Sequence, residues 1–231
     1  ISFGVVDPEK LGSYYRATIG LPDWMQQIFS APSTEPIHLS FKTAPYLLNL
    51  LWPLGLSNKA AFNANSPISG PDLASLASTS GWLFGKQESG AVYFNAAEAV
   101  RLTEAQEGRV LDVATNVYRP CCDNSTFYQD CNHGSALLGL IELAASQGTA
   151  TEEIYRIALA ANSYWFPDQY AKTALYLALS EGRSWMDVPP ELILGPRFSS
   201  LSGWQSNINQ RLRLASFMPR IGQMRPGACT L

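Results

Sequence analysis

Three of the chain's four cysteines and one of its two histidines fall in one short stretch: Cys121, Cys122, Cys131 and His133, in the run Arg119-Pro-Cys-Cys-Asp-Asn-Ser-Thr-Phe-Tyr-Gln-Asp-Cys-Asn-His-Gly134. Thiolate and imidazole are the ligands that soft and borderline metal ions prefer, and the thiolate is also a strong nucleophile. The spacing Cys-Cys-x8-Cys-x-His departs from the common zinc patterns, in which about two to four residues separate paired cysteines so that both face one ion. Adjacent cysteines share an ion only where the backbone between them is irregular, or where a cluster rather than a single ion is bound. A shell of Cys121, Cys122, Cys131 and His133 suits Zn(II), Cu(I) or an iron–sulfur cluster, and three thiolates also suit As(III) or Hg(II). Cys229, the fourth cysteine, is a further ligand if the tail folds back.

Two other chemistries compete for the same residues. Four cysteines make an even set with three pairings, so Cys121 or Cys122 could bond Cys131 while the other pins the tail at Cys229. That arrangement leaves His133 without a partner, which keeps the metal reading in play. A catalytic thiol is the third possibility. Cys131 stands at the start of an apolar helix, where the dipole and the open N–H groups favour thiolate, so it is the cysteine expected to have a lowered pKa. His133 and His38 are the only imidazoles that could serve as its base. His38 reads more simply as structural, and Ser135 lacks the G-x-S-x-G surroundings of a hydrolase nucleophile.

Other motifs fail on inspection. The run Ser80 to Gln87 approaches a phosphate loop but has Ser at the first Gly position and Gln where Ser or Thr belongs. Asn124-Ser-Thr126 is a glycosylation sequon, meaningful in a eukaryotic secretory protein, and it suggests an accessible loop. Tyr155, Trp165, Phe166, Tyr170 and Tyr176 form an aromatic group that either packs the core or walls a pocket beside the cysteine loop.

Composition bounds what these residues serve. A net charge of −3 over 231 residues argues against nucleic acid, which demands a dense basic face. Arg211, Arg213, Arg220 and Arg225 read as an ordinary helix face and tail. Charged residues make up only 15% of the chain, and lysine is confined to Lys10, Lys42, Lys59, Lys86 and Lys172. Such a composition leans towards an extracytoplasmic protein. The chain begins at Ile1 and shows no basic-then-apolar leader, so any signal segment is expected to have been removed. The longest apolar run, Ala44 to Leu56, falls short of the about 20 residues that span a bilayer.

The elements that would position the loop are helical. Asp7-Pro8 starts one helix and Leu21 to Phe29 reads as a second. A third opens at Thr43-Ala-Pro45 and is expected to stop at Pro53. Gly70-Pro71-Asp72 opens another. Asn95 with Glu98 predicts a helix start, the pattern continuing past a break at Gly108 to Tyr118, with Val110, Val113, Ala114 and Val117 on the buried face. Ala91 to Phe94 is the best strand candidate. Residues 132–147 are apolar nearly all round, as a central buried helix should be, with Asp130 or Asn132 as its cap and Gly148 after its last turn. Thr149 to Glu152 reads as a capping box for the next helix, Pro167 to Gly182 as another, and Gly203 to Ala215 as the last.

The expected fold is all-α: a single helical domain over residues 1–231, with a looser helical subdomain over residues 1–90. The function expected is that of an extracytoplasmic protein binding a transition metal or metal cluster through the cysteine/histidine loop, with a redox, metal-handling or Lewis-acid role. The alternative is a non-enzymatic binding or assembly protein whose loop and tail are fixed by disulfides.

Overall fold

The structure, a computed structural model, describes residues 1–77 and 84–214. Cys229, the rest of the C-terminal tail and the Ser80 end of the phosphate-loop look-alike lie outside the described residues, as does Ala215 at the end of the last expected helix. The described residues are all-helical, with isolated bridges and no strand. Helix α1 (Pro8–Ala17) is capped by Asp7, whose carboxylate accepts from the Glu9 and Lys10 amides, and α2 (Asp23–Ser30) follows it.

Helix α3 (Ala44–Ser57) runs through Pro53, where the sequence predicted a stop. Proline removes the donor that would reach Asn49, a loss that ends most exposed helices. Here Trp52, Pro53, Gly55, Leu56 and Ser57 are all buried, and packing carries the helix one turn further. Helix α4 (Leu73–Ala77) is short. The expected strand at Ala91 to Phe94 is instead a 3-10 turn, Gly90–Tyr93, started by the Ser89 hydroxyl. Helix α5 (Glu104–Asn116) begins at Thr103, which forms a capping box with Gln106. Asn95 does not start it. With a φ of 56°, Asn95 turns the chain and accepts from the Ala60 amide at 2.8 Å. Gly108 lies inside α5 without breaking it.

Helix α6 (Asn132–Ser146) is the centre, packed by α3, by α5 and by α7 (Thr151–Trp165). Gly148, at φ +77°, closes α6, and Thr149 donates back to Ala144. Thr149 therefore belongs to the end of α6, and the expected capping box is absent: α7 starts after Ala150 with no side-chain cap. Helix α8 (Pro167–Ser180), α9 (Pro190–Leu194) and α10 (Pro196–Ser199) follow. The last stretch joins α11 (Leu201–Trp204) to α12 (Gln210–Leu214) through a π-helical turn over Gln205–Asn209.

Helices α3 and α6 cross at Gly55 and Gly139. A Cβ on Gly139 would stand 2.7 Å from the Leu51 carbonyl oxygen, and one on Gly55 would run into the Ser135 carbonyl. One turn further along α6, Glu142 is fully buried. Its oxygens and Asn58 Nδ2 make no hydrogen bond among the described residues, although the Asn58 amide lies close enough to favour the charge somewhat. Burial pushes the Glu142 carboxyl well above its ordinary range; Asn58 opposes this and the Glu107 charge reinforces it.

The folded state thus holds a proton that the unfolded chain releases above about pH 4.5. This contribution to stability is complete below that pH and is lost as pH rises towards the folded pKa. Glu142→Gln, neutral at every pH, is expected to remove a slope of up to about 1.4 kcal/mol per pH unit from the wild-type stability curve above pH 5. Urea unfolding at pH 5, 6.5 and 8 measures this, and parallel curves for the two proteins would refute it.

Candidate metal centre

The loop between α5 and α6 leaves the helix at Val117 and folds back on itself. Thr126 N donates to Val117 O at 2.8 Å and Phe127 N to Ala114 O at 3.0 Å. Pro120 prevents continuation of the helix, and the irregular turn after it lets adjacent cysteines face the same way. Cys121 Sγ and Cys122 Sγ are 3.3 Å apart, Cys122 Sγ and Cys131 Sγ 3.6 Å, and Cys121 Sγ and Cys131 Sγ 3.9 Å. An S–S bond is about 2.05 Å long, so no disulfide joins these three to one another.

Cys131 itself caps α6. Its sulfur accepts from the Gly134 amide at 3.3 Å. The expected caps are occupied elsewhere: Asp130 pairs with Arg119 at 2.6 Å and with Asn124 Nδ2 at 2.7 Å, and Asn132 Oδ1 accepts from the His133 amide. The sequon is thereby built into the loop, since the Asn124 amide nitrogen holds Asp130 and Thr126 is buried.

His133 converges on the same place. One of its ring nitrogens, Cys121 Sγ and Cys131 Sγ lie within 4.8 Å of one another, and so do Cys122 Sγ, an Asp130 oxygen and Cys131 Sγ. His133 is 6% exposed, its Nδ1 has no hydrogen-bond partner among the described residues, and its ring packs on Phe166 at 4.5 Å and on Trp165 at 6.0 Å. Tyr170 is buried beside Cys121, its hydroxyl bonded to Ser199 and Asn162. Burial first, and the nearby Cys121 charge last, push its phenol upward against those hydrogen bonds. Trp165, Phe166 and Tyr170 thus adjoin the cysteine loop, whereas Tyr176 packs against Phe198. His38 is exposed on the segment before α3, and Ser135 donates to the Gln129 carbonyl.

One residue of the site had no signal in the sequence. Arg119 is fully buried beneath the loop. A guanidinium has five N–H donors, and each of Arg119's finds an acceptor. Nε donates to Cys131 Sγ at 3.2 Å, Nη1 to the Asn124 and Ser125 carbonyls at 2.7 Å each, and Nη2 to the Tyr128 carbonyl at 3.0 Å and Asp130 at 2.6 Å. A Cβ on residue 134 would sit 3.0 Å from the guanidinium, which is why glycine stands there.

Burial disfavours the Arg119 charge, but Cys131, Cys122 and Cys121 more than offset this and hold it on. The Cys122 thiol hydrogen-bonds to Cys121, which lowers its pKa. Its contact with Cys131, burial and the Cys131 charge outweigh that and push it up to about 12. Burial likewise raises Asp130 against the pull of Arg119 and Asn124.

No family model, curated protein or solved structure matches this chain. By its own features it is an all-α protein with a three-thiol, one-imidazole cluster that could hold a metal ion.

Proposed function

We propose that the chain is an extracytoplasmic protein that binds one thiophilic transition-metal ion through Cys121, Cys122, Cys131 and His133, in a metal-handling, Lewis-acid or redox role. The sulfur triangle carries the reading. A tetrahedral ion with metal–sulfur bonds of about 2.3 Å separates its sulfur ligands by about 3.8 Å. The three sulfurs already stand 3.3, 3.6 and 3.9 Å apart, on the scale of a single ion's face. His133, buried, grouped with Cys121 and Cys131, and with Nδ1 unpartnered among the described residues, supplies the fourth ligand. Three thiolates and an imidazole suit Zn(II) first, with Cu(I) or a small cluster as the other candidates.

Low charge and scarce lysine support the extracytoplasmic placement. In an oxidising compartment thiols this close pair readily, so a bound ion would also protect them.

Elemental analysis of the untreated protein, with Co(II) titration followed by absorption, tests the reading. Thiolate-to-cobalt bands at one equivalent are expected. His133→Ala should weaken binding by more than the roughly 10–100-fold that loss of a supporting partner costs, with α6 intact because alanine is the best helix former. Untreated protein with its cysteines in disulfides and no metal would refute the metal reading and leave the binding or assembly protein.

A further inference from the structure

We propose that Arg119, rather than the ion, is the structural centre of the cysteine loop, and that the ion is therefore exchangeable: the loop is built first and loads and unloads a thiophilic ion afterwards. The inference rests on the metal-binding reading above and assigns the ion's role within it. In a structural zinc site the ion joins chain segments that have few other contacts, so folding and metal binding are one event. Here every part of the loop has its own anchor.

Tyr118 N donates to Leu194 O at 2.8 Å, and Tyr118 O accepts from Asn162 at 2.9 Å. The Cys122 carbonyl accepts from Leu201 N at 2.9 Å, and the Asp123 carboxylate from Ser202 N at 2.7 Å. That last bond is the main reason Asp123 titrates below its usual range. Between these points Arg119 gathers the Asn124, Ser125 and Tyr128 carbonyls, Asp130 and the Cys131 sulfur onto one planar group. An ion would add bonds to atoms already held in place.

The exposure pattern fits exchange. Cys131 is 4% exposed, whereas Cys121 and Cys122 are half-buried, so a competing ligand reaches these two first. Uptake trades up to three thiol protons for one ion, and a competing chelator reverses it; neither direction needs an oxidant or a reductant. Arg119 also sets the electronics of the site, since a hydrogen bond to a ligating sulfur lowers the energy of its lone pairs.

The test uses the full chain with Co(II) as probe. EDTA should remove the cobalt while the near-ultraviolet circular dichroism and the amide protection of Thr126, Phe127 and Gly134 persist. The triple variant Cys121→Ser, Cys122→Ser, Cys131→Ser should lose the thiolate–cobalt bands yet keep that protection, because serine is itself a good helix cap. Arg119→Lys should lose protection across residues 117–131, bind Co(II) about 10–100-fold more weakly, and shift the bands to lower energy. A variant Arg119→Lys that does not fold supports the structural half, and the EDTA arm then decides the other half. Cobalt binding with loss of loop protection on EDTA treatment would overturn the inference and leave the metal reading standing. Absence of thiolate–cobalt bands in the wild type would overturn both.

Discussion

Arg119→Met is expected to destabilise the protein by about 3–5 kcal/mol, the cost of removing the fully buried partner of a partly buried ion pair together with the donors it gives to the loop carbonyls. Methionine fills much of the arginine volume, so the loss is polar and not a cavity. Asp130 keeps its bond to Asn124 but loses the guanidinium at 2.6 Å, and the Asn124, Ser125 and Tyr128 carbonyls lose their Arg119 donors. Cys131 Sγ is left with the Gly134 amide alone of the two N–H donors described above. For a chain of this length that loss corresponds to a fall in Tm of roughly 6–20 °C. Thermal unfolding by circular dichroism, with EDTA present so that bound metal does not enter the comparison, measures it. A Tm within about 2 °C of wild type would show that water replaces the guanidinium at little cost.

The same residue marks where sequence reading stops. The convergence of Cys121, Cys122, Cys131 and His133 was legible because reactive side chains are rare in this chain and gather in one run. Arg119 sits in that run and carried no mark. Arginine is normally exposed, and its burial here depends on carbonyls of residues 124, 125 and 128 turning inward, which no side-chain pattern encodes. The cap of α6 went to Cys131 rather than Asp130 for a related reason: the Asp130 carboxylate was claimed by Arg119 and Asn124.

Among the helices, α6 was readable to within a residue at its C-terminal end because it is apolar on nearly every side. The start of α5 was not. Asn95 with Glu98 and Thr103 with Gln106 both satisfy a capping pattern, and the choice was made by a distant contact, the Ala60 amide on the Asn95 side chain. Pro53 failed as a stop because burial against α6 outweighed one missing hydrogen bond.

The two central glycines were equally silent in the sequence, and they carry the other large expectation. In an exposed helix Gly→Ala stabilises by about 0.5–1 kcal/mol, since alanine restricts the unfolded chain and favours helix. Gly108, inside α5 with nothing among the described residues within 4 Å of an added methyl, should behave that way. Gly139→Ala should reverse the sign and destabilise by about 3 kcal/mol or more, at or beyond the upper end of ordinary overpacking. Its methyl would meet backbone on α3, 2.7 Å from Leu51 O and 2.8 Å from Gly55 N, and backbone does not rotate away as a flexible side chain does. The helices must separate instead. Because Cys131 caps α6, the shift reaches the sulfur triangle, so Gly139→Ala should also weaken Co(II) binding while Gly108→Ala leaves it unchanged. Urea unfolding and cobalt titration of the two variants side by side make the comparison, and equal stability of the pair would show that α3 and α6 tolerate a wider crossing.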